Sequence, residues 1–367
     1  MNKMIIANLI HRPVRSLISM IAIAVEVTLI LVVVGLLLGI LNDSRQRQAG
    51  MGADVIVQPP GSSFLSAASG APVSIKVADI LAKMDHVRVV APVVTQLNVG
   101  ASVEVIYGID LKTWEELGGP FRYLEGGPFQ KPYDIIVDDI VAESDKMHVG
   151  STVRTLNQDF QVCGIVEHGR GARKYLPMAT MQELVGSQGK VSVFYVKLDD
   201  PKNADAVASA VRMRPGMEKY VVRSLREYLS IMTPGNLPGF SATVKTVITV
   251  AVVIGFIVIF QAMYTAVLER TREIGILKSL GASKFYIVRL ILRETILLAV
   301  CGIILGIGLS YATRFAVLKR FPTMRVQMTG EWMMYAALIA MAGALLGAIY
   351  PAFKAAHKDP IDALAYE

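Results

Sequence analysis

Charge is scarce in this chain. Asp, Glu, Lys and Arg make up 18% of its 367 residues, while hydrophobic residues make up 53%. Soluble domains carry about 25% charged residues, so the balance excludes an ordinary water-exposed globule. There are two cysteines, Cys163 and Cys301. The second lies in a long apolar run, which excludes their pairing and any disulfide framework. Five histidines stand at positions 11, 86, 148, 168 and 357, none at metal-ligand spacing from another. Glu167-His168 lacks the second histidine of a zinc helix. No nucleophile–base pattern occurs, so no catalytic residue is expected. The phosphate-cradling Gly-x-x-x-x-Gly-Lys-Ser/Thr is also missing. The nearest string, Gly186-Ser-Gln-Gly-Lys-Val, is wrongly spaced, so this chain binds no nucleotide by that device. The net charge of +7 is not a nucleic-acid signal either. Asn42 to Thr243 holds 21 basic and 22 acidic residues, and the excess sits in the remainder, with 16 basic and 8 acidic. There it sets orientation and meets anionic lipid headgroups.

What is plentiful is uninterrupted apolar sequence. Ile18 to Leu41 is uncharged except for Glu26, and Val247–Val267, Thr295–Thr313 and Trp332–Phe353 hold no charge. A helix needs about 20 apolar residues to cross a bilayer, so four transmembrane helices are expected. The first run is too long for a cleavable signal peptide, and no Ala-x-Ala site follows it. Lys3, Arg12 and Arg15, the loop residues Arg270, Arg272, Lys278, Lys284, Arg289 and Arg293, and the tail residues Lys354 and Lys358 fall on one side. By the positive-inside rule that side is the cytoplasm. The opposing short loop carries Arg314, Lys319, Arg320 and Arg325 and pulls the other way. The total places both termini inside.

The expected layout is thus residues 1–41 as N-terminal segment and first span, 42–240 as an extracytoplasmic domain, and 241–367 as spans two to four with the tail. The outer domain reads as mixed α/β. Strands are expected at Asp54–Gln58, Val87–Leu97, Ser102–Ile109, Val191–Leu198 and Lys219–Arg223, with helices at Val77–Met84 and Lys202–Arg212. An insertion of about residues 120–186 would hold a strand at Asp134–Val137, a helix near Ile140–Met147 and a hairpin. The hairpin pairs Thr152–Leu156 with Phe160–Val166 across Asn157-Gln158-Asp159. The fold class is therefore a four-helix membrane protein with a large mixed α/β domain between helices 1 and 2.

The short connection between spans two and three is the most telling segment: Glu269-Arg-Thr-Arg-Glu-Ile-Gly-Ile-Leu-Lys-Ser-Leu-Gly-Ala-Ser283. Charges alternate in sign, and Ile274, Ile276, Leu277 and Leu280 give an apolar side. That pattern predicts a short amphipathic helix at the membrane surface, presented to a partner or to headgroups. Gly281 is placed to end it in the left-handed conformation, and Ser283 to cap the next helix.

Other candidates are individual residues. Glu26 stands near the middle of the first span, where a carboxylate is costly; it faces a substrate path, acts as a proton-coupled group, bonds a neighbouring helix, or meets a wet crevice. Phe64 and Leu65, in the Pro/Gly/Ser-rich loop Pro59–Ser74, are an exterior contact or plain surface. Arg170 and Arg173 meet an anionic group or form a solvated turn. Gly302, Gly306, Gly343 and Gly347 permit close helix packing. Pro351 and Pro360 mark helix ends.

Segment 269–283, the tail from Tyr350-Pro-Ala-Phe-Lys to Ile361-Asp-Ala-Leu364, the basic start running into span one, and the one-plus-three layout together resemble the MacB/FtsX-like family of ABC-transporter permeases. The resemblance covers nearly the whole length. It implies a bacterial inner-membrane permease that works as a homodimer or beside a close relative. ATP and Mg would be handled by a separate ABC ATPase subunit, with a periplasmic adaptor as a possible further partner. The coupling helix would comprise Glu269, Arg270, Arg272, Glu273, Ile274, Gly275, Ile276, Leu277, Leu280 and Gly281: apolar residues in an ATPase groove, Arg270, Arg272 and Glu273 at its rim. It further implies mechanotransmission, in which ATPase closure moves the outer domain to drive export, efflux or extraction of a substrate. The alternative is an FtsX-type transmembrane signalling protein that activates a cell-wall hydrolase without transport. The tail Ala355–Leu364 braces the ATPase or is a solvated end.

Overall fold

The structure is a computed structural model that describes residues 13–62, 72–99, 103–236 and 239–358. Chain contacts divide it into two compact units. One comprises Met1–Leu38, Ser241–Arg320 and Val326–Glu367; the other comprises Gly39–Phe240 with Phe321–Arg325.

The outer unit is built on one main sheet, because its central strands are apolar on both faces. Twelve strands occur among the described residues: β1 (Val55–Gln58), β2 (Val73–Ser74), β3 (Val87–Val99), β4 (Val103–Ile109), β5 (Tyr123–Gly126), β6 (Asp134–Asp138), β7 (Thr152–Thr155), β8 (Gln158–Val166), β9 (Lys174–Pro177), β10 (Lys190–Val191), β11 (Val193–Leu198) and β12 (Val221–Ser224). Ten of them form a sheet in the order β12-β1-β11-β3-β4-β9-β6-β8-β5, with β7 beside β8. Side chains alternate between faces. Val55, Val57, Ile135, Val137, Phe194 and Val196 enter one core, and Ile56, Ile136, Val193 and Tyr195 the other. The first core is covered by α2 (Val77–Leu81), α4 (Asp139–Asp145), α5 (Met178–Leu184) and α6 (Ala204–Met213). The second holds Trp114 and Leu117 of α3 (Leu111–Gly118), Tyr228 of α7 (Leu225–Ile231), and Leu41 from the end of α1 (Pro13–Ala49). A sheet covered on both faces explains why its strands read as near-continuous apolar runs.

Residues 120–186 do not form a separate body. Their strands lengthen this same sheet, joined to it by the parallel pairing of β9 with β4. The hairpin turn also differs from the expected one. Thr155 faces Gln158, so the turn is Leu156-Asn157, with φ of 50° and 61°. A two-residue turn with both φ positive matches the right-handed strand twist, and Asn tolerates that region. That gain in twist overrides the longer turn read from Asn157-Gln158-Asp159.

The second unit holds four helices long and apolar enough to cross a membrane, counted among the described residues. They are α1, α8 (Phe240–Glu269), α10 (Lys284–Arg320) and α11 (Gly330–His357), with the short α9 (Thr271–Ser279) between α8 and α10. Glycines allow the close crossings. A Cβ on Gly302 would meet Ile23 Cβ at 2.8 Å, and one on Gly306 would meet the Ala24 carbonyl oxygen at 2.7 Å, both in α1. One on Gly347 would meet the Phe256 carbonyl oxygen of α8 at 3.0 Å. Buried Ala336, Ala340, Ala344, Ala348 and Ala352 continue that stripe of α11 at i,i+4 spacing. Pro351 does not end a helix: it lies inside α11. Proline is tolerated in membrane helices because neighbouring groups re-satisfy the freed backbone. Pro360 lies outside the described residues.

Candidate functional site: the connection between the second and third spans

The chain leaves α8 at Arg270, whose φ of −104° and ψ of 17° interrupt the helix. Thr271 Oγ1 donates to the Val267 and Leu268 carbonyls at 3.1 and 2.8 Å, holding the break to the end of α8. α9 then runs nine residues and closes in a Schellman motif. The Ala282 N–H bonds the Leu277 carbonyl, the Gly281 N–H bonds the Lys278 carbonyl, both at 3.0 Å, and Gly281 has φ +95°. These bonds satisfy carbonyls that a helix end otherwise leaves orphaned. The Tyr286 N–H donates to Ser283 Oγ at 3.2 Å, which caps α10.

The faces of α9 divide sharply. Thr271, Ile274 and Gly275 are buried; Ile274 is 8% exposed and unavailable to a partner. Leu277 is half-buried. Glu269, Arg272, Glu273 and Gly281 are exposed, and among the apolar residues Ile276 is 45% and Leu280 80% exposed. Phe285, at the start of α10, is 74% exposed beside exposed Lys284. Sequence reasoning missed Phe285, which lies just past the 269–283 segment on which it concentrated. The signal was its place two residues after Ser283, before the uninterrupted apolar run begins. Arg270 does not stand at the rim. Nη1 of its guanidinium donates to Glu294 Oε2 of α10 at 2.8 Å, with both side chains largely shielded from solvent.

The remaining candidates lie apart. Glu26 is 4% exposed, enclosed between Gly255 of α8 and Gly343 of α11, and neither carboxyl oxygen has a hydrogen-bond partner. Phe64 and Leu65 lie outside the described residues, as does the tail beyond Lys358. Arg173 is no solvated turn residue. It donates through Nη2 to both oxygens of Asp43 and through Nη1 to Asp138, all at 3.0 Å. Arg170 folds back over the Phe121 ring at 5.1 Å and donates to the Gly119 carbonyl at 2.8 Å; burial lowers its pKa. Among the described residues no three His, Cys, Asp or Glu side chains group as metal ligands.

The chain thus joins a mixed α/β domain to four long apolar helices, with the short α9 between the second and third. The family model for the MacB-like periplasmic core domain matches residues 16–214, and that for the FtsX-like permease C-terminal region matches residues 245–360. The chain belongs to the MacB/FtsX-like family of ABC permeases. Among curated relatives of this family member, the macrolide export ATP-binding/permease protein MacB of Shewanella sp. (strain W3-18-1) is 26% identical over 97% of this chain and 59% of its own length. The uncharacterized ABC transporter permease YknZ of Bacillus subtilis (strain 168) is 28% identical over 60% of this chain and 57% of its own. The chain thus spans about three-fifths of these relatives. The crystal structure of the periplasmic region of MacB from Actinobacillus actinomycetemcomitans overlaps 48% of this chain and 92% of that one, at 17% identity and a TM-score of 0.37.

Proposed function

We propose that this permease converts ATP hydrolysis on a partner ABC ATPase into movement of its outer domain, in a complex with two permease copies in a bacterial inner membrane. The carrying observation is the connection around α9: the helix is anchored on one side, while its Ile276, the following Leu280 and, at the start of α10, Phe285 are open to solvent, bordered by Arg272, Glu273 and Lys284. Exposed apolar knobs within a charged border suit a protein groove, because apolar anchors supply affinity and rim charges fix register. ATP and Mg are held by the ABC ATPase; these 367 residues contain no phosphate loop of their own. Closure of the docked ATPases shifts α9 and with it α8 and α10. The bundle passes the motion to α1, which runs unbroken to Ala49 and ends within the outer unit. The work done outside is export or extraction of a substrate, with an adaptor as a further partner.

Docking is tested by purifying the tagged chain from its native membranes and identifying any P-loop ATPase retained by mass spectrometry. Ile276→Asp with Leu280→Asp places two charges where the groove would be dry, and about tenfold less ATPase is expected to co-purify. Full retention by the double variant, with normal membrane insertion, would show that the ATPase sits elsewhere.

A further inference from the structure

The outward face of α9 meets the partner; the contacts behind it have a different job. α9 is only nine residues long and is bounded by two non-helical joints, at Arg270 and at Gly281. A helix of that length is marginal on its own, and a force on it would be absorbed by turning about its joints. Two polar contacts oppose such turning. At its start, Arg270 is paired with Glu294, one helix away in α10. Near its end, the Lys278 ammonium donates to the Ala356 carbonyl at 3.1 Å and to the Lys358 carbonyl. Those carbonyls close α11, where a helix has no internal donors left and where a cation offsets the dipole. An arginine–carboxylate pair shielded from water is directional, and removing one half leaves a buried charge.

We infer that Arg270, Glu294 and Lys278 are positioning residues that fix α9 to α10 and α11 as one rigid piece. The ATPase then moves two spans at once when it pushes on α9. This deepens the docking reading above and rests on it for its mechanical meaning. It also moves Arg270 from the rim of the docking face to the chain's own frame, where Lys278 joins it.

The test uses the full-length chain in lipid nanodiscs. Hydrogen exchange of peptides covering 271–279 is compared for wild type, Arg270→Glu, Glu294→Arg, the double reversal, and Lys278→Met. Each single reversal is expected to speed exchange about tenfold, with the double reversal restoring protection because the charges pair again. Lys278→Met buries no new charge and serves where the single reversals fail to fold; it should speed exchange at the Ser279 end. In complex with the ATPase retained by wild type, the single reversals should lower kcat about tenfold while KM for ATP holds, and the double reversal should recover kcat. Exchange unchanged in the single reversals and in Lys278→Met overturns the inference, as does a double reversal that restores nothing. Loss of the ATPase in Arg270→Glu, not regained in the double, also overturns it by returning Arg270 to the docking surface. If wild type retains no ATPase, the docking reading fails, while the exchange data still decide whether α9 is clamped.

Discussion

Arg173 shows how much a single side chain carries in the outer unit. Its planar fork joins Asp43, on the last turns of α1, to Asp138, which caps α4 from the end of β6. Arg47 adds a bond to Asp43 and another to the Gly171 carbonyl. Breaking one member of such a shielded network leaves two carboxylates short of a charged partner, Asp43 with Arg47 alone and Asp138 with only its backbone cap. Arg173→Met is expected to destabilise the outer unit by about 3 kcal/mol, read as a lowered urea midpoint. Arg173→Lys should not rescue it, because an ammonium lacks the bidentate geometry. His86 carries a gentler effect with a defined sign. Its Nδ1 lies 2.9 Å from Asp199 Oδ2, and that hydrogen bond and charge raise the His86 pKa above 6.5 while lowering that of Asp199. A raised histidine contributes stability that is full below its unfolded pKa and lost as pH rises through the folded value. The melting temperature should therefore fall slightly from about pH 6 to pH 8, and His86→Gln should flatten that slope. Both groups are exposed, so high salt should flatten it too.

At the scale of elements, local chemistry was legible and distant pairing was not. Gly281 and Ser283 could be read as a helix stop and a cap because each acts on backbone within a few residues. The spans were legible because a bilayer demands length and apolarity whatever the helices pack against. The strand order was hidden, because β9 beside β4 joins positions about seventy residues apart through backbone bonds that leave no compositional trace. The inward aim of Ile274 was hidden for a related reason. Hydrophobic periodicity finds an apolar side but cannot distinguish a side that faces the bundle from one that faces a partner. Gly306 tests the packing of elements directly. A side chain there would press on Ala24 and Val27 of α1, and would disturb the bond from Thr28 Oγ1 to the Gly306 carbonyl at 3.0 Å. Gly306→Leu should part α1 from α10, costing about 1–3 kcal/mol as overpacking does, and should lower the melting temperature in detergent. Gly308→Leu in the same helix should cost far less, because a Cβ at Gly308 meets nothing within 4 Å.

For the whole molecule, coupling to ATP depends on which side of the membrane α9 occupies, since an ATPase groove exists only in the cytoplasm. The cations of residues 270–293 outnumber those of residues 314–325, and positive loops remain inside. The native thiols allow this to be measured with little background. Cys163 donates weakly to the Ile135 carbonyl at 3.5 Å, and burial pushes its pKa up to about 12, so almost no thiolate exists near neutral pH. Cys301 is exposed on α10 within an uncharged run, and substituting it removes the second thiol. Introduced in a Cys301→Ala background, Ser283→Cys and Met213→Cys place exposed thiols beside α9 and on the outer unit. A membrane-impermeant maleimide applied to intact spheroplasts should label Met213→Cys at once, and Ser283→Cys only after the membrane is opened. Labelling of Ser283→Cys from outside would put α9 beyond reach of any cytosolic ATPase. The exposed Ile276, Leu280 and Phe285 would then have to face an extracytoplasmic partner or the outer lipid surface, and no route would remain from ATP to the outer domain through this helix.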